Sequence, residues 1–314
     1  MDTLRSRLDS PAIEPNKHEE TRGWDEGMVI IFGHTGFIGR EICHRLKESG
    51  YMVTGFSSKQ CDLLDYEAVY ACLADLPRPF DILNCAVINR SSCYNLDGLE
   101  KNLLMFRNIL KAIPAGGCRS FIQLSSMDVY GHKPTLPVNE DSPVRPATYY
   151  AMAKLDCEWL LDVLSTKDFP SAVLRLPGVY GPGDQGRSVI GKLLRQAANR
   201  ESIDLTNGGT ALRDYLLIDD LYRVIRLLLD DPRQLLVNLV TGQSTPLREI
   251  LEIVFEKTGT RGEVRFTAAP ATQANDLVFD NSRCREYFPG FDFTGLAEGI
   301  EMYADEHQAT GGNS

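Results

Sequence analysis

Met28-Val29-Ile30-Ile31-Phe32-Gly33-His34-Thr35-Gly36-Phe37-Ile38-Gly39 is the stretch on which the fold turns. It opens with an unbroken apolar run, short and rich in β-branched side chains, which reads as a strand covered on both faces. Gly33 ends that strand. From Phe37 the apolar period changes: Ile38, Ile42 and Leu46 recur at helical spacing, and Gly50 closes the helix. Between strand and helix the glycines are spaced GxxGxxG. Glycine there allows a tight turn and a close backbone approach. The helix that follows offers unpaired N–H groups and the positive end of its dipole. Strand, glycine turn and helix in this order suit the pyrophosphate of a dinucleotide. Gly33, Thr35, Gly36, Phe37, Ile38 and Gly39 are therefore expected to bind a cofactor.

The alternation continues downstream. Strands are predicted at Tyr51–Gly55, Asp81–Cys85, Ser120–Leu124 and Ser171–Arg175. Helices are predicted at Tyr66–Leu76, Leu96–Ile113 and Tyr149–Ser165. Such a βαβ series predicts an α/β fold, a doubly wound parallel Rossmann sheet with helices on both faces. After Arg175 the pattern loosens into the Gly/Pro-rich Gly178–Gly186, a helix near 188–199, a strand-like Asp204-Leu205 and helices near 219–230 and 246–258. We read 27–176 as the dinucleotide-binding domain, rejoined by about 214–240. Residues 177–213 and 241–314 form a smaller mixed α/β substrate domain, and the polar first 26 residues a flexible tail.

Composition excludes several classes. A net charge of -10 opposes a phosphate backbone, so no nucleic-acid partner is expected. No apolar run is long enough for a membrane span. The eight cysteines show no CxxC spacing and several lie inside apolar runs, which suits reduced thiols of a cytoplasmic protein. The five histidines show no ligand-pair spacing, and no metal site is expected.

Cofactor choice is read at the second strand. NAD sites place an acid there, about 20 residues after the glycines, on the ribose 2′-OH. Here the stretch is Val53-Thr54-Gly55-Phe56-Ser57-Ser58-Lys59, without an acid. Ser57, Ser58 and Lys59 would suit a 2′-phosphate, so NADP is expected, with NAD possible.

Tyr150 and Lys154 stand at i and i+4 of one predicted helix, on one face. A phenol with pKa near 10 is a poor acid–base group at neutral pH, and a neighbouring ammonium stabilises its phenolate. Such a tyrosine can exchange a proton with a hydroxyl or ketone while a hydride moves. Ser125 and Ser126 follow the fourth strand, at the carboxyl end where ligands of such sheets bind.

Taken in order, several motifs resemble the extended short-chain dehydrogenase/reductases, the NAD-dependent epimerase/dehydratase family acting on nucleotide sugars. They are Gly33–Gly39, Asn84-Cys85-Ala86, Ser125–Gly131, Tyr150–Lys154, Arg175 with Val179–Gly183, and Arg213-Asp214-Tyr215 with Asp219-Asp220. The resemblance runs from about Met28 to about Glu306. It implies that Ser126, Tyr150 and Lys154 are catalytic. It also implies that Asp62 contacts adenine beside Leu63, that Cys85, Ala86 and Val87 line the cofactor, and that Asn102 braces the sheet near it. Arg213 would grip the nucleotide diphosphate, as a guanidinium can by bidentate contact; the other reading is an ion pair with Asp214 or Asp219.

Asp128 either serves as an acid–base near the sugar or orders the turn before Tyr130. The family's 4,6-dehydratases carry an acidic pair after the catalytic threonine, and here its first position is Met127, which weighs against dehydration. The short loop after the second strand, with Cys61-Asp62-Leu63, resembles the 4-keto-6-deoxyhexose reductases of carbohydrate biosynthesis. The expectation is an NADPH-dependent reductase, with an epimerase that retains its NAD(P) as the alternative. A catalytically silent dinucleotide-binding regulator ranks below both, since the serine, tyrosine and lysine are all present. The resemblance also implies a homodimer formed through Leu96–Ile113 and Tyr149–Ser165.

Overall fold

β1 (Met28–Phe32) is buried along its whole length, as the unbroken apolar run requires. In the computed structural model, which describes residues 27–268 and 276–311, it lies between β2 (Met52–Phe56) and β3 (Phe80–Asn84). The expected tail at 1–26 falls outside the described residues. All three strands run parallel and end in line, with Phe32 opposite Phe56 on one side and Asn84 on the other. β4 (Cys118–Ser126), β5 (Ser171–Leu176) and β6 (Leu235–Asn238) extend the sheet beyond β3, again in parallel. The order is β6-β5-β4-β3-β1-β2, so the chain reverses direction across the sheet between β1 and β3. Ligands of such sheets bind outside the carboxyl ends at that reversal.

Helices alternate with the strands: α1 (Phe37–Glu48), α2 (Tyr66–Ala74), α3 (Leu96–Ala112) and α4 (Tyr149–Leu164) follow β1 to β4 in turn. α5 (Val189–Ala198) and α6 (Ile218–Asp230) lie between β5 and β6. α7 (Leu247–Thr258), α8 (Ser282–Tyr287) and α9 (Leu296–Gly311) close the chain. α1 and α6 cover one sheet face, where Ile42 and Leu46 meet Leu221, Val224 and Leu228. α2, α3 and α4 cover the other, with Val69, Phe106, Ile109 and Leu161 against Ile30, Ile82 and Phe121.

A third core joins Ile190, Leu194, Leu205, Leu251, Val254 and Tyr303, uniting α5, α7 and α9. Short strands accompany it. Gly178–Tyr180 pairs in parallel with Tyr215–Leu217, and Ile203–Thr206 with Val264–Thr267.

Two details differ from the sequence reading. β4 runs on to Ser126, so the two serines are its last residues rather than part of the following turn. A sixth strand, β6, adds to the five. The eight cysteines are all free, and among the described residues no helix is long and apolar enough to cross a membrane.

Candidate active site

The pleat of β4 decides what its last two residues do, because neighbouring side chains on a strand point to opposite faces. Ser125 turns inward and donates to the buried Glu158 carboxylate. Ser126 lines the cleft at the carboxyl end of the sheet. Its Oγ accepts the Asp128 backbone N–H at 3.2 Å, which leaves its one O–H to donate.

Thr148 caps α4, its Oγ1 accepting the Ala151 N–H at 3.1 Å. That cap fixes the first turn, on which Tyr150 faces the cleft. One turn further, Lys154 is buried; its Nζ donates to the Leu124 carbonyl at 2.6 Å and lies 5.8 Å from the centre of the Tyr150 ring. A buried ammonium needs close polar partners, and the β4 carbonyl supplies one. Cys85 lies close to this ammonium. Burial pushes its thiol up to about 12 although the Lys154 charge pulls the other way, so it stays protonated.

Ser126, Asp128, Tyr150 and Arg213 open on one cleft of about 900 Å³. The Asp128 carboxylate is engaged by Arg90, from the loop after β3. An ion-paired carboxylate is a hydrogen-bond acceptor. In the same cleft, Arg213 Nη1 donates to the Leu212 carbonyl at 2.7 Å. Asp219 pairs with Arg45 at 3.2 Å, and Asp214 accepts from the Thr241 hydroxyl at 3.0 Å and the Gly242 N–H at 2.8 Å. Burial pushes the Asp214 carboxyl up to about 6.

Beneath the cleft lies a network that sequence reasoning missed. Glu158 and Arg175 form a fully buried forked pair, with Arg175 Nη2 2.7 Å and Nε 3.1 Å from the two carboxylate oxygens. Arg175 Nη1 donates to the Tyr130 hydroxyl at 2.7 Å, which in turn donates to Asn238 Oδ1 at 2.7 Å. This chain ties α4, β4, β5 and β6 together under Ser126. The signal was present: Glu158 continues the i, i+4 face of Tyr150 and Lys154 by one more step.

The glycine turn fits a dinucleotide. Gly33 has φ +80°, and a Cβ there would stand 2.8 Å from the Ala86 backbone; at Gly39 one would stand 2.4 Å from the Gly33 carbonyl oxygen. At Gly36 the nearest atom would be 3.4 Å away. The turn is thus closed towards the sheet and open above Gly36. That residue is also the N-cap of α1, where no side chain caps the free N–H groups. A pyrophosphate can take those bonds.

Cys85 and Ala86 lie directly against the turn. Val87 follows them. Asn102 clamps that segment, its side chain exchanging bonds of 2.8 and 3.1 Å with the Ile88 backbone. Leu63 is buried, its carbonyl bound by Asn108 at 3.0 Å. Asp62 is exposed and accepts the Leu64 N–H at 3.0 Å. Ser57 spends its hydroxyl and its N–H on Gln60 Oε1, at 2.8 and 3.0 Å. Ser58 and Lys59 are exposed.

Fold and site together define an NAD(P)-dependent enzyme of the extended short-chain dehydrogenase/reductase type. The chain belongs to the NAD dependent epimerase/dehydratase family, whose model matches residues 29–239. It is 27% identical to the dTDP-6-deoxy-L-talose 4-dehydrogenase (NAD(P)(+)) of Kitasatospora kifunensis, over 77% of this chain and 82% of that one. It is 24% identical to a dTDP-4-dehydro-6-deoxy-D-allose reductase of a Streptomyces species, over 90% and 96%. The UDP-glucose 4-epimerase of Thermotoga maritima, solved with UDP-glucose, superimposes with a TM-score of 0.80 at 22% identity, covering 90% of this chain and 99% of that one.

Proposed function

We propose that the protein reduces the keto group of a 4-keto-6-deoxy nucleotide-diphosphate sugar with NADPH. The observation that carries this reading is the meeting of Ser126, Tyr150 and Arg213 in one cleft, together with a β2 strand that bears no acid. Two relatives named for 4-dehydro-6-deoxy and 6-deoxy sugars support it. The bound dinucleotide supplies the hydride. Tyr150 donates the proton to the sugar oxygen, Ser126 hydrogen-bonds the same oxygen, and Lys154 supports the phenolate left behind. Arg213, which lines the same cleft, holds the diphosphate.

The test is single-turnover mixing of enzyme and NADPH with a 4-keto-6-deoxy nucleotide sugar, followed by nicotinamide absorbance. The expected result is one cofactor oxidised per sugar reduced. Inversion of a sugar carbon without net cofactor consumption would shift the assignment to the epimerase reading.

The working form we propose is a cytoplasmic homodimer. α4 carries an apolar surface that the sheet does not use: Trp159 is 57% and Val163 79% exposed, with Met152, Leu160 and Leu164 beside them. Contiguous apolar surface of this kind marks an interface. Sedimentation at micromolar concentration should give twice the chain mass, and Trp159→Glu should give the monomer. A monomeric wild type would rule this out.

A further inference from the structure

We propose that His34 reads the 2′ position of the cofactor's adenosine ribose and selects the dinucleotide bearing a 2′-phosphate. This rests on the dinucleotide reading of the glycine turn and deepens it. His34 Nδ1 is buried without a hydrogen-bond partner among the described residues. Buried polar atoms are almost always bonded, and one that is not calls for a reason. The place of the ring suggests the reason. A Cβ on Gly55 would stand 2.5 Å from the His34 Cγ and 2.8 Å from its Cδ2, so the imidazole lies against the backbone of β2.

Gly55 is followed by Phe56, whose carbonyl accepts the Gly33 N–H at 3.0 Å. The ring thus sits between the glycine turn and the end of β2, where dinucleotide enzymes that use NAD hold the ribose with an acid. Any side chain at 55 would displace it, so a histidine in the turn and a glycine in the next strand are matched to each other.

Other groups at the end of β2 serve less well. The Ser57 hydroxyl is spent on Gln60. Lys59 is exposed, a hydrated point charge on a flexible stem that salt screens. An imidazole N–H held against the backbone is pre-positioned and partly dehydrated, and a hydrogen bond from it to phosphate is charge-assisted.

The test uses adenosine 2′,5′-bisphosphate and adenosine 5′-monophosphate in calorimetric titrations, with no turnover involved. Wild type should prefer the bisphosphate. His34→Phe keeps a ring against Gly55 and removes both nitrogens; it should cut that preference roughly ten- to hundredfold, the range for one bond to a charged group. Its affinity for the monophosphate should stay unchanged. His34→Asn, which keeps an N–H near Nδ1, should restore part of the preference. Lys59→Ala should leave most of it.

Three results would overturn the proposal: an unchanged preference in His34→Phe, a preference erased by Lys59→Ala, or an equal loss of both nucleotides in His34→Phe. If wild type binds neither nucleotide, the dinucleotide reading fails and this proposal falls with it.

Discussion

Glu158→Ala is expected to cost about 3–5 kcal/mol of stability in denaturant unfolding, the range for removing one partner of a buried ion pair. Both members are almost wholly inaccessible to water. The substitution leaves the Arg175 guanidinium in a low-dielectric interior, with the Tyr130 hydroxyl as a neutral partner. It also strips the Ser125 hydroxyl of its acceptor. The cost therefore reflects the stranded charge more than the worth of the pair, and that makes it separable. Glu158→Leu combined with Arg175→Met removes both charges at similar volume and should lose clearly less than Glu158→Ala alone. A single-variant loss under about 1 kcal/mol would mean that water reaches Arg175, and that the network is not the dry brace described above.

This network shows where sequence reading stops. β1 to β5 were legible because strands covered on both faces carry unbroken apolar runs, which need no partner to be recognised. β6 was not. Leu235–Asn238 is only four residues, close behind the apolar end of α6, and nothing local separates a short strand from a helix tail there.

The site divides in the same way. Tyr150 and Lys154 share a helix face at i, i+4, so their meeting is a local fact. Glu158 lies on the same face, but its meaning depends on Arg175, which folding brings to it from another strand. Arg90 reaches Asp128 across the sheet's end. Ser125 and Ser126 are adjacent and chemically identical; only the pleat says which enters the cleft. His34 lay inside the stretch that decides the fold. It carried no signal until Gly55 was found against its ring.

Tyr150→Phe is expected to lower the rate of hydride transfer by roughly 10²–10⁴-fold, the usual contribution of one positioned general acid. Only the hydroxyl is lost. The ring, the cap by Thr148 and the Lys154 contact to Leu124 all persist, so fold and cofactor affinity should survive. Lys154→Met should behave differently. The ammonium lies beside both Tyr150 and Cys85, at the junction of acid and cofactor sites, so its loss should weaken nucleotide binding as well as rate. Ser126→Ala should lower rate with little effect on nucleotide binding.

Comparing single-turnover rate with cofactor affinity for the three variants separates these roles, because only the lysine moves both. If Tyr150→Phe kept near wild-type transfer with normal cofactor binding, the proton would have to come from another group in the cleft. Asp128 lines the same cleft, with its carboxylate held by Arg90. Were Asp128 the donor, Arg90→Ala would release its carboxyl group and should accelerate transfer. With Tyr150 as the donor, Arg90→Ala should bring no acceleration.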